Sequence, residues 1–179
     1  MDRKCKIAIF CSSKDKISPE WNKNLETLFQ GLDNKKYSIV YGGGTTGTMG
    51  KVANLAKWYG LILESYNLER FSQNPLDDNT VNYKTISNRQ TALIENADFY
   101  IALPGGYGTL FELLQVLTQN DIGETDKPIY IYNADDFFTP IIEYFKLLYE
   151  RGFCSRRLSE LRCYIIDDFT QISFLKKNY

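Results

Sequence analysis

Apolar residues along the chain fall into short continuous runs, and these alternate with longer stretches in which apolar positions recur every three to four residues. Residues 6–11, Lys-Ile-Ala-Ile-Phe-Cys, form the first run and predict a strand ending at Ser12-Ser13. Pro19 then opens a predicted helix with Trp21, Leu25, Leu28, Phe29 and Leu32 at helical spacing. Residues 37–41 predict a second strand, running straight into the glycine-rich stretch 42–50 and a helix through Val52, Leu55, Ala56 and Tyr59. Residues 61–63 predict a third strand. Residues 67–80 are polar and turn-rich without periodicity, the composition of a loop free to move. A further strand is predicted over 81–86, a helix over 87–96, and a fully apolar strand over 99–103. Beyond it come a helix to about residue 119, a turn at 121–123, a strand over 129–132, a helix over 137–149, a strand over 164–166 and a closing helix.

Strands and helices alternating at these lengths predict an α/β fold: a doubly wound, Rossmann-like, mainly parallel sheet with helices on both faces and right-handed crossovers. No internal repeat, low-complexity linker or composition break divides the chain, so residues 1–179 read as a single nucleotide-binding domain. Ligands of such sheets lie outside the carboxyl ends of the strands, where strand order reverses. Three strand ends carry small residues: Ser12-Ser13, the glycines Gly42, Gly43 and Gly44, and Pro104-Gly105-Gly106-Tyr107-Gly108-Thr109. If the first strand and the strand over 99–103 flank the reversal, these loops converge on one nucleotide-sized crevice. A strand, a glycine-rich turn and a helix in succession present unpaired backbone N–H groups and a helix N-terminus, which suits a phosphate.

Composition narrows the chemistry. Lys plus Arg number 21 and Asp plus Glu 22, a near balance that argues against a general nucleic-acid or anionic-membrane binder. Arg151, Arg156, Arg157 and Arg162 are the nearest approach to a basic cluster, diluted by acidic neighbours, and read as solvated surface. The four cysteines form no C-x-x-C pair and the chain has no histidine, which disfavours a zinc site and any Ser-His or Cys-His catalytic unit. Their spacing suggests reduced thiols. The start does not read as a signal peptide and no apolar run reaches membrane-spanning length, so a soluble, cytoplasmic protein is expected.

The stretches GGGTTGTMG at 42–50 and PGGYGTLFE at 104–112, with the opening Phe-Cys-Ser-Ser and Arg89, resemble the Lonely Guy family over roughly residues 6–153. Members of that family are cytokinin-activating phosphoribohydrolases that long carried the label of lysine decarboxylases. The resemblance implies cleavage of the N-glycosidic bond of an N6-modified AMP to free base and ribose 5-phosphate, by a dimer using neither metal nor redox cofactor. No residue pattern suggests a pyridoxal-phosphate lysine. It also implies that Arg89 and Glu112, at the family's separation (112 − 89 = 23), are the catalytic pair. The flanks depart from the pattern: where the family has Met-His-Glu-Arg-Lys this chain has Ile86-Ser87-Asn88-Arg89-Gln90, and Leu63-Glu64-Ser65-Tyr66 replaces Gly-Val-Ile-Pro. The altered walls bear on the preferred base more than on the reaction. Another base preference, or a non-catalytic nucleotide sensor or carrier on the same fold, are the alternatives.

Each site residue also has a purely structural reading. Thr109 and Glu112 fit a capping box, and Ser87 with Gln90 fits another that would leave Arg89 solvated in a first helical turn. Against this, Glu112 near a helix N-terminus is expected to be ionised and suited to an oxocarbenium-like transition state. Arg89 suits the 5′-phosphate or the alignment of Glu112. Gly105, Gly106 and Gly108 suit close approach of backbone to ligand, with Gly43 and Gly44 serving either the ligand or helix packing. Thr109 offers hydroxyl and amide to a phosphate. Ser12 and Ser13 either contact the ribose or phosphate or begin their loop, and Tyr107 reads as core or dimer interface before base platform.

Overall fold

The computed structural model describes residues 3–15 and 24–172. Its strands are β1 (Cys5–Phe10), β2 (Tyr37–Tyr41), β3 (Ile62–Leu68), β4 (Asn79–Tyr83), β5 (Phe99–Ala102), β6 (Ile129–Tyr132) and β7 (Cys163–Ile166). Its helices are α1 (Leu25–Gln30), α2 (Gly47–Trp58), α3 (Ile86–Glu95), α4 (Tyr107–Asp121) and α5 (Thr139–Glu150), joined by short 3₁₀ turns. The expected opening of a helix at Pro19 lies outside the described residues, as does the end of the chain beyond the 3₁₀ turn Phe169–Gln171.

All seven strands join one sheet in the order β4-β3-β2-β1-β5-β6-β7, and every pairing is parallel. The chain steps outward from β1 to β4, returns through α3, and enters β5 on the other side of β1. Strand order therefore reverses between β1 and β5, where Ile7 pairs Phe99 and Phe10 pairs Ala102. Both faces of the central strands are covered, which is why they read as unbroken apolar runs. Ile7, Ile9, Ile39, Leu63 and Ile101 pack with Leu28, Phe29, Val52 and Ala56 on the α1–α2 side. Ala8, Phe10, Val40, Tyr100 and Ala102 pack with Leu93, Leu113, Val116 and Ile142 on the α3–α4–α5 side.

Several boundaries differ from the sequence reading. β3 does not stop at Leu63 but runs to Leu68 through Glu64, Ser65 and Asn67, all of them partnered. Glu64 takes an ion pair from Lys6 at 2.7 Å, and the Ser65 hydroxyl donates to Asp77 Oδ2 at 2.6 Å. The stretch 67–80 is consequently not a free loop. Its first two residues belong to β3, its last two to β4, and Asp77 receives hydroxyls from Tyr41, Ser65 and Thr80. α3 begins earlier than Ser87: Thr85 is the N-cap, its hydroxyl accepting from the Asn88 amide at 3.2 Å. α4 likewise begins before Thr109, with Gly106 at the N-cap.

Candidate active site

The carboxyl ends of β1, β2, β3 and β5 carry the loops that the sequence singles out. After β1, Ser12 is buried and its hydroxyl accepts the Lys14 amide at 3.0 Å, a serine turn that folds the loop back. Its carbonyl accepts from the Met49 amide, and the Ser13 carbonyl accepts from the Thr46 hydroxyl at 2.6 Å. The β1 loop is thus pinned to the glycine-rich loop after β2. There, Gly43 takes a left-handed φ of 77°, and a side chain on it would press against Asn67 at the end of β3. The Gly44 carbonyl accepts from the buried Asn74 amide, whose nitrogen also donates to Tyr41. Ser12 serves its own loop here, while Ser13 is exposed.

Arg89 projects from α3 into this cluster and is buried, with 7% of its surface exposed. Its Nε donates to the Tyr66 carbonyl on β3 at 2.8 Å and its Nη1 to Glu112 Oε1 on α4 at 2.9 Å. Nη2 lies over the β2 loop so closely that a Cβ at Gly42 would collide with it. The guanidinium is therefore held by β3 and α4 and lies against the β2 loop, and its burial corrects the reading of Arg89 as a solvated first-turn residue. Gln90, read from the sequence as the partner in a cap, is also buried, and its Oε1 lies 3.5 Å from Arg89 Nη1.

Glu112 is buried, with 3% of its surface exposed. The capping-box reading fails because Thr109 lies inside the helix, three residues beyond Gly106, which moves Glu112 past the first turn. There the helix dipole has faded. Burial dominates and pushes the carboxyl up to about 7, with the Arg89 charge and hydrogen bond pulling the other way. Burial therefore opposes the ionised form expected from the sequence, and it is the Arg89 charge rather than the helix end that favours it. Buried Cys11, at the end of β1, has its thiol driven up by burial and by Glu112.

The β5–α4 turn completes the site. Pro104 is buried, and a Cβ on Gly105 would collide with the Thr109 hydroxyl. That hydroxyl is itself buried without a hydrogen-bond partner. Gly106 supplies no capping side chain, so the first-turn N–H groups of α4 face outward. Neither Gly106 nor Gly108 has a positive φ, and a Cβ on either would meet nothing within 4 Å. The fold gives no steric reason for glycine at these two positions. Tyr107 is 94% exposed and belongs to no core.

Arg89 and Glu112 thus meet directly, with the glycine loops around them and an uncapped helix end alongside. Sequence reasoning missed the Tyr66 carbonyl, which no side-chain pattern reports, and the buried position of Gln90. It also missed Asn67, Asn74 and Asp77, concealed in a stretch whose polarity read as loop.

The family described as possible lysine decarboxylase matches residues 41–173. The cytokinin riboside 5′-monophosphate phosphoribohydrolase LOG3 of Arabidopsis thaliana is 29% identical over 160 residues, spanning 87% of this chain and 74% of the relative. A probable phosphoribohydrolase of the same description from Arabidopsis thaliana, LOG6, is 30% identical over 152 residues, 82% of this chain and 75% of the relative. Among solved structures, the molybdenum cofactor carrier protein of Chlamydomonas reinhardtii superposes with a TM-score of 0.71 over 98% of both chains at 14% identity, a likeness of fold alone.

Proposed function

The chain belongs to the Lonely Guy family, whose model bears the description possible lysine decarboxylase, and from that membership we propose that it is a nucleoside 5′-monophosphate phosphoribohydrolase. Its substrate is AMP or an N6-substituted AMP, cleaved to free base and ribose 5-phosphate. The observation that carries this reading is the direct 2.9 Å contact between buried Arg89 and Glu112 beside the open turn of Gly106 and Gly108.

The 5′-phosphate lies at the α4 N-terminus, against the first-turn amides and the Thr109 hydroxyl, where an anion gains from unpaired donors and the dipole. The Gly43–Gly44 loop closes the opposite side. Departure of the base leaves positive charge on the sugar, and the Glu112 carboxylate stabilises that charge. Arg89 keeps the carboxylate in its rotamer and lowers its proton affinity against the cost of burial. The molecule works as a homodimer in the cytoplasm. Tyr107, Phe111 and Leu114 support the dimer: all three are exposed and follow one face of α4 at helical spacing, with exposed Ile122 next to it at the C-cap.

Incubation with AMP, N6-isopentenyl-AMP, CMP and UMP, and with the matching nucleosides, tests the proposal by chromatography of free base. Release from an adenine monophosphate but not from adenosine is expected. Tight nucleotide binding without release of any base would contradict a hydrolase and leave a carrier, a use of this fold that the Chlamydomonas reinhardtii protein illustrates. Release from CMP or UMP alone would move the specificity to another base.

A further inference from the structure

Gln90 is 1% exposed, and its Nε2 is buried with no hydrogen-bond partner. A buried amide donor left unmatched is uncommon and costs stability, so a native protein retains one where something else is gained. The amide is not turned the wrong way. Its oxygen faces Arg89 Nη1 at 3.5 Å, and exchanging the two ends would set an N–H₂ group against a guanidinium. The Gln90 amide group carrying the unmatched donor thus shares Arg89 Nη1 with Glu112, at 3.5 Å from Gln90 Oε1 and 2.9 Å from Glu112 Oε1.

An ionised carboxylate only accepts hydrogen bonds, and the N–H₂ of Gln90 only donates. Two residues that share one guanidinium nitrogen and bring one acceptor and one donor match a group that both donates and accepts, and a hydroxyl is the simplest. We infer that Gln90 and Glu112 together recognise the 2′-hydroxyl of the substrate ribose, which donates to the carboxylate and accepts from Gln90 Nε2. This rests on the proposed reading of the crevice as a nucleoside monophosphate site. Glu112 must face the anomeric carbon to stabilise charge there, and the neighbouring carbon carries the 2′-hydroxyl. Gln90 is then a specificity-determining residue that selects ribonucleotides over 2′-deoxyribonucleotides. Arg89 Nε and Nη1 are already engaged by Tyr66 and Glu112, and Nη2 is turned toward Gly42.

The test compares AMP with 2′-deoxy-AMP on the wild type, Gln90→Met and Gln90→Leu, reading kcat/KM for each nucleotide and Tm for each protein. A site built to hydrogen-bond a hydroxyl rejects the analogue lacking it strongly, so the wild type should favour AMP by about a hundredfold or more. The apolar variants should lose roughly tenfold or more on AMP, change little on 2′-deoxy-AMP, and keep or raise Tm because an unmatched donor is gone. A wild type that cleaves both nucleotides equally, or a preference that survives both variants, would overturn the inference. If no monophosphate is cleaved, the same comparison is read as binding of the two nucleotides by calorimetry. Ribose-selective binding erased by the variants would then sustain Gln90 as the selector while the hydrolase reading fails. Equal binding of both nucleotides would remove this inference on its own.

Discussion

Glu112 sits at the sixth position of α4 with its carboxyl closed off from water, and opposing influences act on its proton. Desolvation disfavours the charged form, the Arg89 guanidinium favours it, and the balance falls near 7, where neutral solution straddles the titration. If the carboxylate is the working form, kcat/KM falls as pH drops below about 7 and levels off above it. Arg89 lowers the carboxyl's proton affinity, so Arg89→Gln should move that acidic limb to higher pH as well as slow the reaction. A pH–rate profile of both proteins checks this; a limb that stays in place would show that the pair is not electrostatically coupled. The sequence pointed to the pair through its resemblance to the family, which implies an arginine 23 residues before the glutamate of the second glycine motif (112 − 89 = 23). It did not reveal the protonation state, because that depends on how completely α3, α4 and β1 exclude water from the carboxyl. Sequence spacing gives proximity along an element, and burial comes from packing.

At the scale of elements, the β5–α4 turn separates glycines that the fold requires from those it does not. Gly105 has no room for a side chain, whereas Gly108 is helical and stands in open space. Gly108→Ala should therefore stabilise the protein by roughly 0.5–1 kcal/mol, through improved helix propensity and a less free unfolded chain. The added methyl would at the same time crowd a phosphate approaching the turn and raise KM at least severalfold. Thermal unfolding and steady-state kinetics on one preparation check both halves, and unchanged kinetics would place the phosphate elsewhere. Elements with continuous apolar runs, such as β1, β2, β5 and β6, were legible because both faces of a buried parallel strand are apolar. The outer half of β3 was not. Glu64, Ser65 and Asn67 are polar, and partners that no strand pattern reports make them tolerable: Lys6 for Glu64, Asp77 for Ser65, and the Ser72 carbonyl and Leu68 amide for Asn67. The caps of α3 and α4 were misread for a related reason: Ser87 and Thr109 fit a local pattern, but Thr85 and Gly106 are where the backbone turns. α4 starts with a bare glycine and no capping side chain, and in the proposed account the phosphate of the substrate takes the place of the cap.

For the whole molecule, strand order β4-β3-β2-β1-β5-β6-β7 places the reversal between β1 and β5 and so gathers residues from the first hundred positions around α4. No helix among the described residues is long and apolar enough to cross a membrane. The exposed face of α4 continues from the site itself, since Tyr107 and Phe111 flank the turn that carries Gly108. With a second copy covering this face, Leu114→Glu should halve the mass measured by sedimentation and lower activity, because the partner then no longer supports the mouth of the crevice. A wild type that sediments as a monomer would remove the dimer from the account. The central claim, that Glu112 acts on a bound nucleotide in the cleavage step, is met most directly by measuring affinity and turnover for AMP on wild type and Glu112→Gln together. The amide keeps the shape of the side chain and an oxygen for Arg89 but abolishes the charge. The account predicts that Glu112→Gln still binds AMP within about tenfold of the wild type while its turnover falls by about a thousandfold or more, the scale of losing an electrostatic group active in the transition state. Turnover within a few fold of the wild type would contradict it, and the chemistry would then have to reside elsewhere in the crevice.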